Sequence, residues 1–236
     1  MVDTIYRRRS VRSYTDQSVE NVQEILDFIA TAKPLYPDIQ VQTRIVGKDQ
    51  VRFYMPWKSP QLLAIYSENK PGYLENVGFL FQQVDLYLQS KGLGSCWMGL
   101  GKVREQLEDL DNLEFVILMA FGWPKHNDLR SDSSDFKRNA AEEIADYADP
   151  LLEPARLAPS STNSQPWYFV HCEGSIHVYR NRTGLLRHKM LGTMNQIDIG
   201  IALAHLYVAN EDSFRFFKAE NASDVPGYGY IGSITL

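Results

Sequence analysis

The chain has 236 residues, of which 44% are hydrophobic and 22% are charged, a composition typical of one or two folded domains. Its net charge of -5 argues against a general nucleic-acid-binding protein, because a nucleic-acid backbone requires a basic face. Two cysteines make no disulfide framework, no apolar stretch precedes the first arginines, and no apolar run is long enough for a bilayer. We therefore expect a soluble, cytoplasmic protein with neither a membrane nor a nucleic-acid partner.

The first half of the chain predicts a helix, a β-hairpin, a short strand, a long helix and a buried strand. Apolar residues three and four apart predict the helices, and alternating polarity predicts the strands. Pro34 ends the first helix, and Gly92 suits the cap of the second. The predicted segments are a helix through Val22 and Ile29, hairpin strands over 40–46 and 51–54, a strand over 62–66, a helix over 75–90 and a strand over 115–121.

The second half predicts a similar order after a polar loop. The turn Glu173-Gly174 joins two β-rich segments into a hairpin. The predicted segments are helices over 141–148 and 151–157, hairpin strands over 167–172 and 175–179, a helix over 197–209, and strands over 214–218 and 231–236.

This repeated order favours an internal duplication. Pro34 corresponds to Pro159, and the hairpin over 44–54 corresponds to the one over 169–179. Two copies are too few for a solenoid, so the repeat indicates a pseudo-twofold pair. Few residues are identical between the halves, and a chance resemblance is the alternative.

A basic cluster near the N-terminus contains Arg8, Arg9, Ser10 and Arg12. Arginine forks bind phosphate oxygens in pairs, and a serine hydroxyl adds a donor. A solvated surface cluster would have the same composition.

A polar loop between Pro159 and Pro166 is dense in short hydrogen-bonding side chains. Two prolines stiffen its ends, and hydroxyls and amides of this kind suit the edge of a heteroaromatic ring. An ordinary turn after a helix explains the residues equally well. Read together with the arginines, the loop suggests a phosphorylated, planar ligand held from two sides.

A glycine-rich segment covers residues 92–101, but it follows a helix and lacks the spacing of a dinucleotide fingerprint. Its glycines would let backbone N–H groups approach a flat ligand, and a helix cap followed by a turn is the simpler interpretation. Cys96 lies among apolar neighbours, so we expect it to be packed rather than reactive. The histidines show neither metal-ligand spacing nor a catalytic triad, so no metal is expected.

These motifs together resemble the FMN-dependent nitroreductase family. Residues 8–12 are similar to its N-terminal flavin-phosphate motif, and residues 158–167 are similar to its Pro-Ser-x-x-Asn-x-Gln-Pro-Trp loop. Residues 92–99 resemble the segment after its long central helix. Residues 137–144 resemble its C-terminal basic motif, with Ala140 replacing the usual proline.

The order of the motifs departs from that family, in which the Pro-Ser loop follows the N-terminal motif by one helix. Here residues 33–40 occupy that place as a degenerate version, and the intact loop lies in the second repeat. Family members are usually homodimers with each flavin in the interface. The resemblance therefore implies a single-chain pseudo-dimer with one flavin site, acting as a monomer, with residues 1–145 as one half and 146–236 as a shortened second half.

The resemblance implies an α+β fold, with an antiparallel sheet flanked by helices, internally duplicated, and with the two long helices packed near the pseudo-axis. It implies an oxidoreductase that passes electrons from NADH or NADPH through FMN to a small aromatic or quinone-type acceptor. The alternative is a flavin store, sensor or chaperone without turnover. The flavin carries the chemistry, so no catalytic side chain is expected.

The resemblance also implies the residues of the flavin site, and Thr162 would border the substrate. The residues expected to bind FMN are Arg8, Arg9, Ser10 and Arg12; Gly99, Leu100 and Gly101; Lys137 and Arg138; and Pro159, Ser160, Ser161, Asn163 and Gln165.

Overall fold

The computed structural model describes the chain except for residues 53–58, 105–109, 111, 127–128 and 183–184, and it describes only the backbone of 185–191. The predicted strand over 51–54 therefore lies partly outside the described residues. No described helix combines the length and the apolar composition needed to cross a membrane.

Helices and antiparallel sheets alternate along the described residues, which confirms the α+β class. The helices are α1 (Val2–Ile5), α2 (Val22–Thr31), α3 (Tyr73–Ser90), α4 (Ala141–Ile144), α5 (Glu153–Arg156) and α6 (Leu185–Ala209). The strands are β1 (Val41–Gly47), β2 (Val51–Arg52), β3 (Gln61–Ser67), β4 (Gly94–Met98), β5 (Lys102–Val103), β6 (Glu114–Gly122), β7 (Trp167–Cys172), β8 (Ser175–Asn181), β9 (Arg215–Phe217) and β10 (Tyr228–Thr235). Short 3-10 turns cover 48–50, 133–135, 150–152 and 161–163.

The predicted single sheet is instead two four-stranded antiparallel sheets, with a small third pair between β2 and β5. The first sheet has the order β1-β3-β6-β4, and the second has the order β7-β8-β10-β9. The two orders are equivalent. In each sheet the first two strands along the chain (β1 and β3, or β7 and β8) are neighbours, the last strand (β6 or β10) pairs with the second, and the strand after the long helix (β4 or β9) forms the edge.

The predicted hairpin between 40–46 and 51–54 is wrong. Strand β1 pairs with β3, with Val41 opposite Ser67, and β2 pairs with β5. Residues 48–50 form a 3-10 turn that leads the chain away from β1, so the local alternation of polarity identified the strands but not their partners. The second hairpin, β7 with β8, is confirmed.

Helix α3 is buried on almost every side, including several polar residues. It ends where predicted, because Gly92 adopts φ 79° and the Leu93 N–H donates to the Leu88 carbonyl at 3.0 Å. Helix α6 begins at Leu185, earlier than the predicted Ile197. The prediction missed residues 185–196 because they carry no clear apolar period. The helix predicted over 141–148 is only the single turn α4, whereas the helix predicted over 151–157 is present as a 3-10 turn over 150–152 that continues into α5.

The two long helices pack against each other at glycines. A Cβ at Gly78 would collide with the carbonyl oxygen of Ile197, and a Cβ at Gly200 would collide with that of Glu75. The apolar faces of both sheets pack around this crossing, with Phe81, Phe169 and Leu203 fully buried. The crossing therefore fixes how residues from the two parts of the chain meet.

Candidate functional site

The N-terminal basic motif runs along the start of β4. The Val11 N–H donates to the Ser95 carbonyl at 2.9 Å, and Ser10 forms a parallel bridge to Ser95. The Arg9 N–H donates to Gln89 Oε1 at 3.0 Å, which ties the motif to the end of α3. Arg12 is exposed, and its charge acts on Tyr14 and Cys96.

Arg8 is only 1% exposed and makes a buried ion pair with Asp85, whose Oδ2 accepts from Nε at 2.9 Å. Asp85 also accepts from the Ser95 hydroxyl at 2.6 Å and from Gln82 Nε2 at 2.8 Å. A buried ion pair is tolerated when further hydrogen bonds satisfy it, as they do here. The charge of Arg8 is thus neutralised by the protein itself.

The hydrogen-bond network continues from α3 to α6. Gln82 accepts from Trp97 Nε1 at 3.0 Å and lies 3.0 Å from His205 Nε2, while His205 Nδ1 lies 2.9 Å from the Pro154 carbonyl oxygen. Burial and the charge of Arg8 lower the pKa of His205 to about 3, so the ring is neutral, with Nδ1 as donor and Nε2 as acceptor.

The segment 137–139 is joined to the Pro159 loop by side-chain hydrogen bonds. Arg138 donates from Nε to the Ala158 carbonyl at 3.1 Å, from Nη1 to Asn163 Oδ1 at 2.7 Å, and from Nη2 to the Leu157 carbonyl at 3.2 Å. Asn139 and Gln165 bind each other, since Gln165 Oε1 accepts from the Asn139 N–H at 2.8 Å and Gln165 Nε2 donates to Asn139 Oδ1 at 3.1 Å. Two motifs predicted separately therefore form one structural unit.

The Pro159 loop is strained. Thr162, Asn163 and Gln165 have φ angles of 53°, 59° and 45°, in the left-handed region that disfavours side chains with a Cβ. For the β-branched Thr162 this conformation is an outlier, and such strain clusters at functional sites. The hydrogen bonds from residues 138 and 139 hold the loop in this shape.

Asp198 of α6 supports the loop from inside. Its Oδ1 accepts from the Ser161 N–H at 3.0 Å, and its Oδ2 has no hydrogen-bond partner among the described residues. Burial raises the pKa of Asp198 to about 8. Inside the loop, the Ser160 hydroxyl accepts from the Gln165 N–H at 2.9 Å.

The end of the glycine-rich segment turns at the surface. The Gly101 N–H donates to the Met98 carbonyl at 3.0 Å, so this turn already uses one of the predicted backbone donors. Leu100 is 65% exposed, and Gly99 faces Met194 of α6. Residues 99–101 thus lie between the end of strand β4 and helix α6.

Four basic residues gather beside the strained loop. Arg130 and Arg138 are half-buried and lie over Phe136, with guanidinium carbons 4.0 and 5.5 Å from the ring centre. Burial, together with the charge of Arg8, lowers the pKa of each to about 10. Arg9 and Lys137 are exposed, and their side chains make no hydrogen bond or ion pair within the described part of the chain.

This arrangement fits a flavin mononucleotide. Arg9, Arg130 and Lys137 form no ion pair with any carboxylate of the described residues, and a phosphate would supply the missing anion. The adjoining loop exposes Thr162 and Asn163, with Ser160 and Ser161 partly exposed. The structure brings Arg8 and Arg9 close to Arg130, places Arg8 within electrostatic range of Arg138, and joins residues 137–138 to the Pro159 loop. Ser10 lies beside Ser95, and Arg12 is exposed.

A family model described as "Putative TM nitroreductase" matches residues 1–210. This chain belongs to that nitroreductase family. No curated protein matches the chain.

Solved structures share the nitroreductase fold. A putative nitroreductase from Thermotoga maritima is 20% identical, with a TM-score of 0.65, over 99% of this chain and 91% of that one. A nitroreductase family protein from Clostridium difficile 630 is 17% identical, with a TM-score of 0.52, over 63% of this chain and 98% of that one. An FMN-dependent nitroreductase from Clostridium difficile R20291 is 17% identical, with a TM-score of 0.44, over 58% of this chain and 98% of that one.

Sequence reasoning missed three residues of this nitroreductase-family site. Asp85 and Asp198 are carboxylates inside otherwise apolar stretches of α3 and α6, and that contrast is a usable signal for buried polar networks. Arg130 lies in a polar surface loop, where nothing in the local sequence distinguishes it from a solvated arginine.

Proposed function

We propose that the chain is an FMN-dependent oxidoreductase that passes electrons from NADH or NADPH to a small aromatic or quinone-type acceptor. The observation that carries the proposal is the hydrogen-bonded contact between the segment 137–139 and the strained Pro159 loop, which places cations next to partly exposed serine hydroxyls. Bound FMN would supply the two-electron chemistry, and the protein would bind and orient it.

Different residues of the protein would contact different parts of the bound flavin. The cations beside Phe136 would lie at the phosphate end, and Ser160, Ser161 and Asn163 would lie along ring and ribityl atoms. Gln165, which is buried and bonded to Asn139, would shape the loop that contacts the ring. Thr162, exposed at the tip of the loop, would border the acceptor. The stacked guanidinium groups and buried network would fix the ligand without a protein acid or base at the reacting atoms.

We further propose the pseudo-dimer with halves 1–145 and 146–236, acting as a monomer. Support comes from the shared strand order of the two sheets and from the reciprocal glycine contacts of α3 and α6. A second pair of contacts is also reciprocal. Asn76 Oδ1 accepts from the N–H groups of Leu35 and Tyr36 at 2.8 and 2.9 Å, as Asp198 Oδ1 accepts from Ser161.

The opposite half-site supports a single flavin per chain. A groove of about 530 Å³ lies there, at the degenerate loop and the strand after α6. It is lined by Lys33, Pro34, Leu35, Tyr207, Glu211, Asp212, Phe214, Arg215 and Phe216. Glu211 and Asp212 offset the charges of Lys33 and Arg215, so the groove has no net positive charge to attract a phosphate. The Tyr36 and Phe216 rings pack edge to face at 5.5 Å in place of the hydroxyls of the intact loop.

Both cysteines are free thiols, which suits the reducing cytoplasm that we propose as the location. The function itself is tested by anaerobic stopped-flow mixing of the FMN-loaded chain with NADH and with NADPH. Loss of the flavin absorption band with either donor, and its return on adding a quinone, are expected. Stable flavin binding without loss of absorption would contradict the reductase proposal and favour the alternative, a flavin store, sensor or chaperone.

A further inference from the structure

Two half-buried arginines, Arg130 and Arg138, lie at the proposed flavin site, and they donate hydrogen bonds to different parts of the protein. Arg138 corresponds to the basic position that the family resemblance assigned to the phosphate. Its Nε and both terminal nitrogens already donate to the Leu157 and Ala158 carbonyls and to Asn163 Oδ1. This guanidinium joins the carbonyls of the two residues before Pro159 to the Asn163 side chain inside the loop, so it ties the start of the loop to its middle.

The loop held by Arg138 needs this support. Thr162 and Asn163 have positive φ angles, which are unfavourable for residues with a Cβ unless surrounding contacts stabilise them. Asn163 also donates from Nδ2 to the Lys137 carbonyl at 3.0 Å, so the contact between segment and loop runs in both directions. Without Arg138 the loop would relax toward ordinary backbone angles and move the groups expected along the ring.

Arg130 has a different environment. Its Nε donates to the Asp135 carbonyl at 3.3 Å and its Nη1 donates to the Arg8 carbonyl, while its guanidinium lies flat over Phe136 at 4.0 Å. Arg8 and Arg9 lie near enough to repel it, and within the described residues no carboxylate forms an ion pair with it. The Asp135 carboxylate instead accepts from the Ser131 N–H at 2.8 Å.

We propose that Arg130 binds the phosphate of the flavin beside the exposed Arg9 and Lys137, and that Arg138 is a positioning residue for the strained Pro159 loop. This inference rests on the proposed function, and it adds to the proposed site a residue that lies outside the motifs shared with the family. It follows from the hydrogen bonds: Arg130 donates to two carbonyls and forms no ion pair among the described residues, whereas Arg138 donates to three carbonyls and to Asn163.

The two assignments predict opposite patterns with FMN and riboflavin, which differ only in the phosphate. Arg130→Gln should weaken FMN binding by about 10-fold or more, as for a lost charge-assisted hydrogen bond, and change riboflavin binding less than about 2-fold. Arg138→Gln should weaken both flavins by similar factors and shift the absorption band of bound flavin. Arg138→Lys keeps the positive charge but loses the planar guanidinium that reaches several acceptors at once, so it should behave like Arg138→Gln.

The control is Arg215→Gln, which removes one exposed arginine at the opposite groove and should leave both affinities within about 2-fold of the parent. Fluorescence titration gives the affinities, and thermal unfolding monitors folding. Equal losses of FMN and riboflavin in Arg130→Gln, or an FMN-selective loss in Arg138→Gln that Arg138→Lys rescues, would overturn the assignment.

A second arm separates this inference from the proposed function. If the parent chain binds neither flavin, the flavin proposal fails. Millimolar inorganic phosphate should still raise the unfolding temperature of the parent and of Arg215→Gln but not of Arg130→Gln. A phosphate shift that persists in Arg130→Gln would refute the role of Arg130 as the anion ligand.

Discussion

Replacing Asp198 by asparagine should remove a pH-dependent loss of stability. Asp198 is 3% exposed and supports the Pro159 loop through one oxygen, while its other oxygen has no partner among the described residues. Burial raises its pKa from 3.8 to about 8, so the folded protein keeps this carboxyl protonated at neutral pH. Asparagine has the same shape, carries no charge and is the residue at Asn76, which holds the degenerate loop in the same way.

The size of the effect follows from proton linkage. The unfolded chain ionises this group above pH of about 4, whereas the folded chain keeps its proton until about pH 8, so unfolding releases a proton between those values. Stability therefore falls as pH rises through this window and levels off above it. At roughly 1.4 kcal/mol per pH unit, the parent should lose about 1.5–2 kcal/mol relative to Asp198→Asn between about pH 6.5 and 8.

Urea unfolding followed by circular dichroism at several pH values gives the free energy of unfolding of both proteins. The difference between them isolates Asp198, because all other titrating groups are shared. The reverse change, Asn76→Asp, should introduce a similar downward slope by placing a carboxyl at a fully buried position. A difference between parent and Asp198→Asn that stays constant across this pH range would refute the reasoning.

Further substitutions test the interior. Asp85→Asn leaves Arg8 without its charge partner and should cost about 3–5 kcal/mol in urea unfolding. Glu24→Gln, at an exposed ion pair, should change the free energy of unfolding far less, and equal effects would contradict this. Gly200→Ala should cost about 2 kcal/mol or more, despite the better helix propensity of alanine, because its Cβ meets the backbone of Glu75. A stabilised Gly200→Ala protein would show that the helices separate easily.

Periodicity predicted α2 and α3, the second hairpin and strand β6, because each is a local pattern of apolar residues. The partner of β1 was missed, since Val41 pairs with Ser67 across an intervening turn whose path no local pattern encodes. Helix α6 begins earlier than predicted, and the prediction missed its first part because residues 185–196 carry no clear apolar period.

The sequence predicted those parts of the candidate site that belong to recognisable motifs. The motifs identified residues 137–138 and the Pro159 loop, which hydrogen bonds join in the structure, but the sequence did not show how these hydrogen bonds are distributed. Arg8 looks like a free cation in the sequence and is paired with Asp85 in the fold. Such pairing depends on which side chains the crossing of α3 and α6 brings together, and therefore on tertiary structure.

The central claim is that one chain holds one flavin between its two halves. Purified chain saturated with FMN and freed of excess ligand should be analysed by absorbance for flavin content and by native mass spectrometry for the assembly. The prediction is one FMN on a single 27.0 kDa chain. Two FMN per chain, or an FMN that binds only when two chains associate, would contradict it.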